Sequence, residues 1–119
     1  MTCVWTGLIN ALKLTIRPHE LLKHVQENNQ ETEDITWNGE EITKKMKTEN
    51  VEWIKSIKES EICHGYDCSV CDPLLFLVAQ LYNTSIYHNY NGTMIKYINK
   101  KFPNAIINVT SDRRHFRHC

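Results

Sequence analysis

Residues 72–98 read DPLLFLVAQLYNTSIYHNYNGTMIKYI, and this stretch decides the fold class. Asp72-Pro73 opens a helix. An Asp side chain accepts from the free amides of a first turn, and Pro suits the first helical position, where its missing N–H costs nothing. Leu74 to Tyr82 is apolar almost all round, which predicts a helix lying deep in the core. Asn83-Thr84 ends it. Ser85 to Tyr90 then alternates as a strand does, with Ile86 and His88 on one face and Tyr87 on the other. Asn91-Gly92 predicts a two-residue hairpin, because both central positions of that turn need positive φ. Thr93 to Ile98 is the return strand.

Downstream, Lys100 to Asn104 holds Pro103 and reads as a turn. Ala105 to Thr110 is a strand of the Ile/Val type, and Arg113 to Cys119 a further one reached through Ser111-Asp112. Upstream, Leu8, Ile9, Ala11 and Leu12 crowd one face of a helix from about Thr6 to Lys13. Arg17-Pro18 interrupts it, and a second helix runs to Glu27, with Leu21, Leu22 and Val25 as its stripe. Gln30 to Asp34 is an acidic loop. Ile35-Thr36-Trp37 is a short extended piece turned by Asn38-Gly39. Thr43 to Lys58 reads as a helix with Met46, Val51, Trp53, Ile54 and Ile57 inside and Lys44, Lys45, Lys47, Glu49 and Glu52 outside. Glu59 to Cys71 is a loop.

Helices come first, and then a helix feeds hairpin-connected strands. The class expected is α+β, one domain over residues 1–119, with a small antiparallel or mixed sheet of three to four strands packed against three to four helices.

The 119 residues carry 14 Lys plus Arg and 14 Asp plus Glu, so the formal net charge is zero. That balance predicts no nucleic-acid surface. No apolar run approaches the roughly 18–20 residues that cross a bilayer. Val4 to Leu14 lacks a charged leader and a small-residue cleavage site, so no signal peptide and no membrane partner are expected. The five Cys are odd in number, which argues against a disulfide scaffold and for reduced thiols in the cytoplasm. Sequons begin at Asn83, Asn91 and Asn108, a number near what chance supplies in a chain this rich in Asn, Ser and Thr.

Two sets of residues carry chemistry. A thiol becomes a nucleophile when its thiolate is stabilised by a helix N-terminus or a neighbouring imidazolium. Cys3 stands just before the first predicted helix, and His115 lies on the last predicted strand, which can return an imidazole to a helix start. Simple packing of the thiol and solvation of the imidazole remain the alternative. The second set is Cys63, Cys68 and Cys71, the last two as a C-x₂-C pair. Zinc takes two ligands from such a pair and needs four, with His64, His115, His118 or Cys119 able to complete the set. Against zinc, Cys68 and Cys71 simply pack at the start of the buried helix. Trp5, Trp37 and Trp53 read as packing rather than as a stacking platform. Arg113-Arg114 suits an acidic partner or plain solvation.

The order of these motifs resembles the OTU (ovarian tumour) cysteine-protease family. Cys3-Val4-Trp5-Thr6-Gly7-Leu8-Ile9-Asn10-Ala11-Leu12 is similar to that family's opening helix, and Asp72 to Ile86 to its central apolar helix running into a core strand. Ile106-Ile107-Asn108-Val109 followed by His115-Phe116 resembles its closing strand pair. The resemblance implies a papain-like architecture and hydrolysis of isopeptide bonds of ubiquitin or a ubiquitin-like modifier, without a cofactor, in a compact version of the kind found in large DNA viruses, acting in the host cytoplasm or carried in the virion. Cys3 would be the nucleophile, His115 the general base, and Phe116 would pack behind the imidazole. Asp112 or Asn108 would orient it. The family's Asp-Gly before the nucleophile is replaced by Met1-Thr2, and Arg117 stands where an Asn or Asp is common. A weak or inactive member that only binds ubiquitin is the alternative this implies, and a small zinc-binding module is a further one.

Overall fold

The computed structural model describes residues 3–60, 69–111 and 116–118, with Cys3 and Phe116–His118 described by their backbone. Four helices in it are used below: α1 (Cys3–Leu12), α2 (Pro18–Glu27), α3 (Lys44–Ser56) and α4 (Pro73–Leu81). The strands are β1 (Ile35–Trp37), β2 (Ser85–Tyr90), β3 (Thr93–Asn99), β4 (Ile106–Ser111) and β5 (Phe116–His118). They form one five-stranded sheet in the order β1-β3-β2-β4-β5. The class is α+β, as expected.

Helix α4 begins where Asp72 caps it. The Asp72 carboxylate accepts from Leu74 N–H at 2.9 Å and from Ser69 N–H at 2.8 Å, and its own N–H donates to the Tyr97 hydroxyl at 2.9 Å. Leu74 through Ala79 are all buried, so the helix has no wet face along most of its length. Each large side chain sealed in this way stabilises by roughly 1.5–3 kcal/mol relative to exposure. Asn83, at φ 52°, ends the helix in the left-handed region that Asn tolerates. Helix α1 starts at Cys3 itself, one turn earlier than the apolar stripe predicts, and buries Val4, Trp5, Leu8 and Ile9.

The hairpin forms as expected. Asn91 (φ 50°) and Gly92 (φ 91°) turn β2 into β3, and Asn38 (φ 52°) and Gly39 (φ 86°) make the matching turn after β1. The short extended piece Ile35–Trp37 becomes an edge strand, antiparallel to β3 with Thr36 opposite Ile98. That adds a strand to the three or four expected. The sheet is mixed rather than purely antiparallel, because β4 pairs with β2 in parallel, with His88 opposite Val109. Residues 100–105 therefore cross to the far side of β2. Hydrogen bonds hold that crossing: Thr84 Oγ1 to Ala105 O (2.7 Å), Ser85 Oγ to Phe102 O (3.1 Å), and Asn99 N–H to Ser85 Oγ (2.9 Å).

Residues paired across strands share a face. Ile35, Tyr97, Ile95, Ile86, His88, Val109 and Ser111 form the buried face. Helix α4 lies against β1, β2 and β3, and α1 lies against β4 and β5. On the other face Tyr87, Met94, Lys96 and Asn108 are exposed or half-buried, and Lys96 Nζ sits 5.1 Å from the centre of the Tyr87 ring.

Helix α3 is rotated from its expected setting. Ile54 is buried and Met46 half-buried, but Trp53 is 47% exposed, while the Lys47 side chain is only 13% exposed and pairs with Glu33 at 2.8 Å. Successive helical residues point about 100° apart. With Ile54 centred on the core, Trp53 falls about 100° away, off the stripe, whereas Lys47, seven residues back, lies nearly in line with Ile54.

Candidate functional site

A helix N-terminus presents unsatisfied N–H groups and the positive end of its dipole. Helix α1 begins at Cys3, so the backbone of that residue stands at such an end. Helix α1 also lies against β5, whose first residue, Phe116, directly follows His115. The helix that begins at Cys3 and the strand that begins one residue after His115 are therefore neighbours. His115 itself and the orienting candidate Asp112 lie outside the described residues.

Asn108, the other orienting candidate, is exposed on β4 in register with Tyr87. Alternation along the strand turns it to the open face, while Val109 and Ser111 turn to the buried one against which α1 packs. Asn108 thus lies on the face of the sheet opposite the one against which α1 packs.

Of the zinc candidates, Cys63, His64, Cys68 and Cys119 lie outside the described residues, as do the side chains of His115 and His118. Cys71 is a free, half-buried thiol at the start of α4. Burial pushes its pKa up, and the neighbouring Asp72 carboxylate adds to the rise. Both effects favour the protonated thiol in the metal-free protein, which is not the ionisation of a nucleophile. Among the described residues no group of three or more His, Cys, Asp or Glu side chains is placed to hold a metal ion. Likewise among the described residues, no helix is long and apolar enough to cross a membrane.

One buried polar constellation was not singled out from the sequence. His88 is fully buried on β2, and its Nε2 lies 2.6 Å from the Oγ of Ser111, itself 2% exposed, at the end of β4. The His88 ring meets Tyr90 edge-on, with centroids 5.5 Å apart. Burial lowers the His88 pKa to about 4, so the imidazole is neutral near pH 7. The alternation in Ser85 to Tyr90 already puts His88 on the face of Ile86, and a titratable group on an apolar face is the signal that finds it. Ser111 carried no signal, because it read as a turn residue.

No protein-family model matches this chain, and no curated protein or solved structure matches it either.

Proposed function

We propose that the protein is an OTU-like cysteine protease that hydrolyses isopeptide bonds of ubiquitin or a ubiquitin-like modifier. The observation that carries this reading is the adjacency of α1, which begins at Cys3, and β5, which begins one residue after His115. The papain-like arrangement needs a thiol at a helix start beside a strand that delivers an imidazole, and the order of helices before strands fits it.

In this mechanism the Cys3 sulfur, its proton taken by His115, attacks the isopeptide carbonyl carbon. The tetrahedral intermediate collapses as His115 returns the proton to the departing lysine amine, leaving a thioester on Cys3. Water, deprotonated by His115, then attacks the thioester and frees the modifier's carboxylate and the thiol. The α1 dipole favours the thiolate throughout.

The test is an electrophilic ubiquitin probe on the full chain. Covalent labelling of the wild type, lost in Cys3→Ser and strongly slowed in His115→Asn, is expected. Labelling that persists in Cys3→Ser sinks the assignment. A second reading, ubiquitin binding without catalysis, draws on Met1-Thr2 in place of the Asp-Gly that supplies oxyanion donors in the family. Loss of one such donor costs about 10²–10³ in rate. Saturable ubiquitin binding with no labelling of Cys3 would select this second reading.

A further inference from the structure

The chain holds two Asn-Gly pairs, Asn38-Gly39 and Asn91-Gly92, and the fold sets both in exposed turns at the end of a strand. All four residues have positive φ. Glycine leaves its own amide uncrowded, and a Cβ added at Gly39 or Gly92 would meet nothing within 4 Å. An asparagine followed by such an amide carries a latent reaction. The glycine nitrogen, once it has given its proton to hydroxide, attacks the asparagine Cγ. A bond forms between that nitrogen and Cγ, the Cγ–Nδ2 bond breaks, and ammonia leaves with a proton from water. Water then opens the cyclic imide at one of its two carbonyls. The product is aspartate, or its isomer whose main chain runs through the side-chain carboxyl. In sum, one amide and one water become one carboxylate and one ammonium.

The two turns restrain different partners in that reaction. At Asn38 the electrophile is held. Its Oδ1 accepts the Lys96 N–H at 2.9 Å, and its own N–H donates to Lys96 O at 2.7 Å, so side chain and main chain are both tied to β3. The turn is closed again by Trp37 N–H to Glu40 O (2.8 Å) and Glu40 N–H to Trp37 O (2.9 Å). Cγ cannot swing onto the Gly39 nitrogen without breaking the bond to β3. At Asn91 the electrophile is untethered. The main-chain N–H donates to Ser111 O at 2.7 Å, but the exposed carboxamide makes no hydrogen bond among the described residues. Here the nucleophile is restrained instead, because the Gly92 N–H donates to Asn89 Oδ1 at 3.0 Å. A proton held in a hydrogen bond is harder to remove. That restraint slows the reaction, whereas a fixed electrophile is kept out of the attacking geometry altogether.

We propose that Asn91 is a site of spontaneous deamidation in the native protein, restrained by Asn89, and that Asn38 is protected by its bond to β3. The product bears on the fold. It takes the formal net charge from zero to minus one. The isomer also adds a methylene to the main chain of a two-residue turn, where the Asn91 N–H ties the β2–β3 hairpin to the end of β4. The hairpin tip thus carries a chemical record of the age of each molecule.

The experiment incubates the full chain in mildly alkaline buffer, native and in concentrated urea, and locates aspartate and isoaspartate by peptide mass spectrometry. In urea both pairs are free and should react at similar rates. In the native protein the reaction at Asn38 should be about tenfold slower than at Asn91, the factor that one hydrogen bond on the electrophile commands. Asn89→Ala, which frees the Gly92 amide, should speed the reaction at Asn91 about 2–10-fold. Asn89→Asp, which keeps an acceptor, should not speed it.

Native Asn38 reacting as fast as Asn91 overturns the proposal, as does an Asn91 that reacts in urea but not in the native protein. An Asn89→Ala rate no higher than that of the wild type overturns the restraint assigned to Asn89. Where that variant fails to fold, the wild-type comparison of the two turns still decides.

Discussion

Asp72 and the Ser111–His88 pair are two polar anchors inside one apolar core, and they are built in opposite ways. Asp72 is fully buried and draws its donors from residues two and three positions away, Leu74 N–H and Ser69 N–H. Ser111 and His88 are equally sealed, but 23 residues separate them in sequence. The first anchor forms as soon as the local turn forms. The second exists only after β4 has crossed to pair in parallel with β2. A local polar anchor is legible whole in sequence, whereas of the non-local one only His88 leaves a signal and its partner does not.

The largest expected effect tests the local anchor. Asp72→Ala removes a helix cap, worth about 1 kcal/mol. Because the capped Leu74 N–H is buried, that cost rises to about 1–3 kcal/mol, and breaking the bond to the more exposed Ser69 N–H adds about 0.5–1.5 kcal/mol. Urea unfolding should therefore show a loss of about 3–4 kcal/mol. A loss under about 1 kcal/mol would mean that the loop before α4 rearranges freely, and that the local anchor is weaker than its burial implies.

Next in size is the response of the non-local anchor to acid. The unfolded chain binds a proton at His88 near its ordinary pKa of 6.5, whereas the native protein resists doing so until about pH 4. Between those values the unfolded state holds more protons, so native stability falls as pH drops. The contribution is fully present above about pH 6.5 and is lost by pH 4. Each pKa unit is worth 1.36 kcal/mol, so the loss is on the order of 3 kcal/mol. The check is urea unfolding at pH 7, 6 and 5 in wild type and His88→Gln. The variant should lack the part of the slope that lies above pH 5, where most carboxylates have yet to titrate.

What could be read in advance follows the same division. The Asp72-Pro73 start, the all-apolar α4, the Asn91-Gly92 hairpin and the Pro18 start of α2 are local in origin, and each appeared where expected. The parallel β2–β4 pairing did not, because the crossing is held by Thr84, Ser85 and Asn99 reaching residues 14 to 21 positions away. Trp53 misled because hydrophobicity marks it for the core, while the rotation of α3 is set by how Ile54 and Ile57 seat, a matter of tertiary packing. At the candidate site, Cys3 was legible as a thiol near a helix start. That α1 includes Cys3 and rests on β5 is a long-range outcome.

The smallest effect concerns Tyr97, which links the local anchor to the sheet. Its hydroxyl accepts from Asp72 N–H at 2.9 Å and donates to Val70 O at 3.2 Å, and its ring meets Phe76 edge-on. Tyr97→Phe keeps the ring contact and removes both hydrogen bonds. Val70 O still accepts from Trp37 Nε1–H at 3.0 Å, so the main loss is the partner of the buried Asp72 amide, about 1–2 kcal/mol. Because Tyr97 and Asp72 share a hydrogen bond, Tyr97→Phe and Asp72→Ala should be non-additive, since the rearranged loop of the double variant no longer needs the hydroxyl. Tyr97 pairs with Ile86 and Ser111 with Tyr90, four residues further along β2, so the second anchor lies about 13 Å away at strand rise. Tyr97→Phe and Ser111→Ala should then add to within about 0.5 kcal/mol. Coupling beyond that would show that the core transmits strain between the two anchors, and that they act as one polar network rather than two.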